Sequence, residues 1–160
     1  LVKEMIYMNS IKKDKHFTLL TIFKYLLLWE IGGCVYYSIE VLWRGHSHPS
    51  MFILGGICLI CVGLINEVLP WDTYFELQVL IGDCIVLLLE FTTGCIVNIG
   101  LGLNVWDYSN MWGNILGQVC PLFAILWLPV IAAAIFLDDW IRWQYLGEEK
   151  PRYKFYFKKK

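Results

Sequence analysis

The sequence predicts an all-α membrane protein in which four transmembrane helices form a bundle. Of its 160 residues, 58% are hydrophobic and only 17% are charged, and the mean hydropathy is +0.57. Soluble domains carry about 45–50% apolar and about 25% charged residues, and a soluble domain this small could not bury so much apolar surface. The apolar residues fall in four long runs, and the basic residues collect at the two ends. This pattern argues against a soluble domain, a disordered chain and a nucleic-acid-binding arm.

The four runs cover residues 17–43, 51–69, 77–103 and 118–137. Because a hydrocarbon core of about 30 Å needs about 20 helical residues, each run is long enough to cross a membrane. The hydrophobicity is continuous rather than alternating, which disfavours a β-barrel. Six of the eight tryptophans lie at or near the predicted boundaries, where amphipathic rings prefer the headgroup layer; they are Trp43, Trp71, Trp106, Trp112, Trp140 and Trp143.

The distribution of Lys and Arg predicts the orientation of the chain. Residues 1–16 form a basic N-terminus, residues 138–160 form a basic and aromatic tail, and only Lys24 and Arg44 lie between them. Basic segments stay on the cytoplasmic side of a membrane. An even number of spans then predicts that both termini are cytoplasmic, with the tail in the cytoplasm or at the interface, and that the membrane domain comprises residues 17–137.

Acidic residues inside the spans are the main candidates for function. A carboxylate in hydrocarbon costs at least about 2.5–3.5 kcal/mol on insertion scales and usually faces the bundle interior or a water path. Glu30 and Glu90 are the central residues of the first and third runs, so we expect them at the same depth. Asp83, Glu90, Gly94 and Asn98 share one face of the third helix. Together with Glu30, these four residues either line a path for protons, cations or polar solutes, or form hydrogen bonds between packed helices. In the second case, Gly94 would allow the helices to approach closely.

A second group of polar residues is expected at the outer face, and it comprises Glu40, Arg44, His46, His48 and Asp107. A His-x-His pair supplies half of a zinc site, which needs three or four ligands. We interpret the turn as an ordinary polar connection and predict no metal. The six cysteines lie in or beside apolar runs and are interpreted as structural. No common nucleotide-binding or hydrolase motif occurs, so we expect neither a cofactor nor enzymatic activity.

The segment 104–117 is polar and aromatic, which is unusual beside four apolar spans. It either dips back into the bundle as a re-entrant segment or lies at the interface, anchored by Trp106 and Trp112. Irregular backbone at membrane depth needs polar partners, which the Asn and Asp side chains of this segment could supply.

Several sequence motifs of this region resemble those of a bacterial family, the CmpB-like putative ABC transporter permeases. They are Glu90-Phe-Thr-Thr-Gly94, Asn98, Trp106-Asp107-Tyr108-Ser109, Asn114, Gly117 and Gln118, with Arg44-Gly-His-Ser-His48 upstream. The resemblance covers about residues 29–139. It implies a small polytopic protein of the bacterial inner membrane with a role in transport, and it carries over no substrate and no catalytic residue. Transport driven by ATP would require a separate ATPase chain.

Three functions are therefore open. The first is a permease-like subunit that passes a small solute or an ion along the intramembrane acids. The second is a non-transporting scaffold or signalling subunit that binds a partner chain. The third is a membrane enzyme that uses the turn at Arg44–His48. The expected partners are the lipid bilayer and either further copies of the chain or a different membrane subunit, and no nucleic acid is expected.

Overall fold

The computed structural model describes the backbone of residues 2–156 and the side chains of residues 19–156. The basic side chains of the N-terminal segment 1–16 and the last lysines, Lys158 to Lys160, lie outside the described residues. The helices are α1 (Val2–Arg44), α2 (Pro49–Val68), α3 (Phe75–Gly94) and α4 (Pro121–Tyr145), and α3 continues into a π-helical turn, Cys95–Gly100. Four helical stretches are long and apolar enough to span a membrane, and they are Leu19–Arg44, Pro49–Val68, Phe75–Gly100 and Pro121–Tyr145.

The four-helix bundle predicted from the sequence is confirmed. The helix boundaries differ from those of the apolar runs, most clearly in the third and fourth spans. The third stretch ends at Gly100 instead of residue 103, and α4 begins at Pro121 and continues to Tyr145 instead of ending at residue 137. Pro at the first position suits a helix start because its missing N–H needs no partner there. The helix continues past residue 137 because Asp138 and Arg142 neutralise each other inside it.

Glycines allow α1 and α2 to pack closely. Gly32 of α1 lies against Gly55 and Gly56 of α2, and a Cβ added to Gly32 would stand 2.6 Å from the Cβ of Leu59. Such contacts are typical of small residues at membrane helix interfaces. The core then continues between α2, α3 and α4, where the buried apolar side chains include Leu54, Val62, Val86, Ile131 and Ile135.

The two ends of the bundle are closed differently. At the first end, the backbone N–H of Phe75 donates to the carbonyl of Lys154, and Tyr153 packs against Phe75 and Phe136. The beginning of α3 is therefore covered by the C-terminal tail. At the second end, residues 101–120 form an irregular loop that joins α3 to α4 and packs on the end of α1. We call these the tail end and the loop end of the bundle.

Candidate functional site

Helix α3 presents one buried row of residues to the bundle. Gln78, Gly82, Val86, Glu90 and Gly94 recur every four residues and are all buried, and Asn98 in the π-helical turn extends the row. Glu90, Gly94 and Asn98 therefore lie together on the interior face, as expected. Asp83 lies beside the row and is half-buried, and its Oδ1 has no hydrogen-bond partner among the described residues.

Glu90 is the most deeply buried acid of the predicted path, with only 2% of its surface exposed. The hydroxyl of Tyr36 in α1 donates to its Oε1 at 2.9 Å, and the indole N–H of Trp127 in α4 donates to its Oε2 at 3.0 Å. The two aromatic rings also stack on each other, with centroids 5.2 Å apart. No ion pair involves Glu90 within the described part of the chain, so the carboxyl group is held by neutral donors only.

Glu30 is not where the sequence placed it. Its side chain is exposed on the outside of α1 and makes no hydrogen bond or ion pair with any residue whose side chain is described. Tyr36, six residues later, takes the place beside Glu90, and at 1.5 Å per residue Glu30 lies about 9 Å further along α1. The expectation that Glu30 lines the interior with Glu90 is therefore wrong. The rotation of α1 about its own axis, which Gly32 and Gly33 fix against α2, turns Glu30 outward.

Asn98 connects the end of α3 to the loop. Its side-chain N–H donates to Oε1 of Gln118 at 2.8 Å, and its Oδ1 accepts the backbone N–H of Val105 at 2.7 Å. The indole N–H of Trp106 donates to the carbonyl of Gln118 at 2.9 Å. Gly94 leaves room for these side chains, because an added Cβ would overlap Gln118. The residues of the family-like motif are thus joined to the buried row.

The rest of the motif shapes the loop. The carboxylate of Asp107 accepts from the backbone N–H and the hydroxyl of Ser109, and these bonds lower the pKa of Asp107 below its usual value. The side chain of Asn114 forms hydrogen bonds with the backbone before and after it in the chain, and its Oδ1 accepts the N–H of Gly117 at 2.9 Å. Tyr108 stacks on Phe123 at 4.5 Å, and burial raises its pKa. The segment 104–117 contains no helix and folds as an irregular cap, with the side chains of Trp106 and Gln118 reaching back to Gly94.

The predicted outer-face residues form two separate sets at the loop end. Arg44 donates to Glu40 at 2.8 Å and to the carbonyl of Val105 at 2.8 Å, and Ser47 donates to the other oxygen of Glu40 at 2.7 Å. This network ties α1 to the turn and to the loop. Asp107 bonds within the loop instead.

The two imidazoles of the turn have local partners. His48 caps α2 by accepting the backbone N–H of Ser50, and the ring of His46 contacts the carbonyl of Arg44. Among the described side chains, no three His, Cys, Asp or Glu residues lie close enough to hold one metal ion.

A polar cluster at the tail end was missed by the sequence analysis. Arg142 is 2% exposed and pairs with Asp138, which is fully buried. Asp139 accepts from the amide of Asn66 and from the hydroxyl of Tyr153, both at 2.6 Å. Burial and the neighbouring Asp139 raise the pKa of Tyr153. The available signal was the pair Asp138-Asp139 followed by Arg142 one helical turn later.

Lys24 belongs to the same end of the bundle. It pairs with Glu148, which lies beyond α4, and Glu148 also lies 3.7 Å from Arg142. The spacing of residues along the chain gave no indication of this partner.

The fold defines a multi-pass helical membrane protein whose largely apolar core contains a few buried polar side chains. The chain belongs to the family described as putative ABC-transporter type IV, because the sequence model of that family matches residues 4–144. The family resemblance seen in the sequence is thereby confirmed. No curated protein and no solved structure matches the chain significantly.

Proposed function

We propose that this protein is a permease-like subunit that passes an ion or a small polar solute across the membrane, with Glu90 as its central binding group. The observation that carries the proposal is the buried carboxyl group of Glu90, which has two neutral donors and no cationic partner among the described side chains. An ionised acid at that depth is energetically unfavourable unless a positive charge compensates it, and acids at such positions commonly mark functional sites. A proton, a cation or a solute with an N–H or O–H group would supply the missing partner.

Two breaks in helical regularity lie near Glu90 and support movement there. The π-helical turn begins at Cys95, shortly after Glu90, and π-helical turns are frequent at functional sites. Helix α4 contains Pro129, two residues after Trp127, and proline removes a backbone hydrogen bond and bends a helix. Motion at these two points would change the donors around Glu90 and open it alternately to either side.

Flux measurements on purified protein in liposomes test this proposal. We expect Glu90→Gln to fold and insert normally but to lose at least about tenfold in the flux of protons or of the transported ion, since Gln keeps the shape and cannot ionise. Asp72→Asn, at an exposed position between α2 and α3, is the control that removes one carboxylate elsewhere. Equal flux through wild type and Glu90→Gln would contradict the proposal and favour a purely structural role.

We also propose that the chain assembles with itself in the membrane, which fits either a transporting or a scaffolding role. The observation that favours assembly is Glu30, an exposed acid inside a membrane-spanning stretch. Cys34 and Ser38 follow it on the same exposed face, one helical turn apart. In a twofold dimer that spans one membrane, identical residues meet at the same depth, and a carboxyl, a thiol and a hydroxyl can each bond to a copy of itself.

Cross-linking through Cys34 tests the assembly. Oxidation in native membranes should join two copies through Cys34, whereas Cys84, which is exposed on α3, should remain unlinked and serves as the control. The Cys34→Ser variant should abolish the cross-link. Linking through Cys84 at the same rate would contradict this interface.

The remaining functional proposals concern location and partners. We propose that the protein lies in the bacterial inner membrane with both termini in the cytoplasm, as the distribution of basic residues indicates. An ATPase, if one drives transport, is a separate chain. We propose no enzymatic role for the loop end, since Glu40, Arg44 and Ser47 bond to one another and to the backbone. If Arg44 has only a structural role, the Arg44→Ala variant should be less stable than wild type, and no catalytic activity should change.

A further inference from the structure

A groove runs along the bundle between α1 and α4. Helix α1 packs on α2, whereas α4 packs on α2 and α3, so a gap is left between α1 and α4. Two neighbouring cavities of about 370 Å³ and about 210 Å³ occupy this gap, and both are lined by Tyr36, Ile39, Trp127 and Val130. The groove opens sideways to the surrounding lipid, because Val35 and Ala133 on its two walls are exposed.

The larger cavity is apolar. Its walls include Gly32 of α1, Val62 of α2 and Ala134 of α4, and no charged residue that the structure describes lines it. The polar atoms of Tyr36 and Trp127 are turned to Glu90. This part of the groove therefore offers hydrocarbon contacts to a ligand.

The smaller cavity continues to the loop end and is lined there by Glu40, Arg44 and Tyr108. The side chains of Glu40 and Arg44 are 14% and 24% exposed. Both terminal nitrogens of Arg44 have a second N–H beyond those used for Val105 and Glu40, and each carboxylate oxygen can accept more than one bond. The hydroxyl of Tyr108 has no hydrogen-bond partner among the described residues, and unlike Nε of Arg44 it is not buried.

The length and polarity of the groove match one leaflet of a bilayer. From Arg44 to Gly32 the groove follows α1 for about 18 Å, and one leaflet fills about 15 Å of a hydrocarbon core that is about 30 Å thick. Trp43 lines the polar end with 72% of its surface exposed, as expected of a ring in the headgroup layer. The groove is thus polar where headgroups lie and apolar toward the centre of the bilayer.

We propose that this groove binds one phospholipid with an amine headgroup. One acyl chain lies in the apolar cavity, the phosphate accepts from Arg44 and Tyr108, and the ammonium group donates to Glu40. Arginine pairs well with phosphate, and the opposite charges of Arg44 and Glu40 match a zwitterionic headgroup better than an anionic or a neutral one. The site makes no use of Glu90, so binding can be measured in a protein that transports nothing.

Lipids with one chain separate the parts of the proposal. Native mass spectrometry of the full-length protein in detergent should detect one palmitoyl lysophosphatidylethanolamine per protein chain. Monopalmitoylglycerol lacks the phosphate and the ammonium group and should bind at least about tenfold more weakly, because charged hydrogen bonds are lost. Palmitoyl lysophosphatidylglycerol lacks only the ammonium group and should bind several-fold more weakly. Equal affinity for either comparison lipid would overturn the assigned headgroup.

Variants test the location. Ala133→Phe places a ring in the groove from an exposed position on α4 and should lower lipid occupancy several-fold, whereas Ile125→Phe, exposed on α4 outside both cavities, should not. Tyr108→Phe should weaken binding of lysophosphatidylethanolamine several-fold, and Tyr37→Phe, outside the groove, is its control. Equal occupancy in Ala133→Phe and wild type would overturn the proposal. A lipid-free dimer that Ala133→Phe separates into single chains would also overturn it and assign the groove to a second copy.

Discussion

At the scale of single residues, the environment of Glu90 is the most informative feature of the molecule. A buried carboxyl group that accepts from Tyr36 and Trp127 joins three helices at one point, since those donors come from α1 and α4. Hydrogen bonds to charged groups contribute about 1.5–3 kcal/mol, and removal of one partner leaves the buried acceptor unsatisfied. The same contacts therefore stabilise the bundle and set the position of the proposed binding group.

Removing one donor to Glu90 tests this coupling. We expect Tyr36→Phe to lower the free energy of unfolding by about 1–3 kcal/mol, because the hydroxyl bond is lost while the ring remains. Tyr37→Phe is the matched control, as Tyr37 is adjacent and has no hydrogen bond to Glu90. Chemical unfolding in detergent measures both. An equal loss in the two variants would contradict the importance of the Tyr36–Glu90 bond.

Sequence reasoning succeeded for Glu90 and failed for its surroundings. Its central place in an apolar run was enough to indicate burial. Tyr36 could not be assigned, because the contact depends on how α1 is rotated against α2, and tyrosine is common in apolar runs. Glu30 misled for the same reason, since depth along a helix does not specify the side that a residue faces. Asp138 and Arg142 were missed because charged residues were taken to end the fourth span.

At the scale of elements, the loop between α3 and α4 behaves as a folded cap. Gly117 has a backbone φ of +69°, and an added Cβ would stand 2.5 Å from the hydroxyl oxygen of Ser109. Gly102, in the same loop, has a φ of +65° and open space around it. Composition identified this segment as unusual, but its irregular shape depends on side-chain bonds to the backbone that no periodic pattern reports.

Substitutions at these two glycines distinguish the cost of backbone strain from the cost of a steric clash. Alanine at either position should lose about 1 kcal/mol through the left-handed backbone. Gly117→Ala should lose about 1–3 kcal/mol more, because the added methyl group overlaps Ser109. Thermal unfolding of both variants makes the comparison. Equal destabilisation would show that Ser109 moves away freely and that the cap is loosely packed.

The loop also predicts a pH dependence. Because Ser109 lowers the pKa of Asp107 in the folded protein, ionised Asp107 adds stability that is fully present above the usual pKa of 3.8 and is lost as the pH falls through the lower folded value. The stability difference between wild type and Asp107→Asn should therefore shrink in acid. Ser109→Ala loses the hydroxyl bond but keeps the backbone N–H bond to Asp107, so it should weaken this dependence. A difference that stays constant from pH 6 to about pH 2 would contradict the prediction.

At the scale of the whole molecule, the two ends of the bundle are chemically distinct. The loop end is closed by hydrogen bonds between Asn98, Gln118 and the backbone, whereas the tail end holds the buried polar cluster around Arg142. Glu90 lies between them, with Val86 on the side of the tail end and Gly94 and Asn98 on the side of the loop end.

The orientation of the molecule can be measured with reporter fusions. A reporter at Ser47, in the turn between α1 and α2, should report the side opposite to one at the C-terminus, and the C-terminal reporter should be cytoplasmic, because the basic residues gather at the chain ends. Reporters on the same side at both positions would contradict four spans.

The central claim is that Glu90 is a functional group reached by water rather than a sealed structural one. Cysteine labelling in membranes tests it most directly, in a chain whose native cysteines are replaced. We predict that Glu90→Cys reacts with a small water-soluble thiol reagent, whereas Val86→Cys, one turn away in the same buried row, does not. Equal protection of both positions would contradict the claim and would leave Glu90 as a seam between helices.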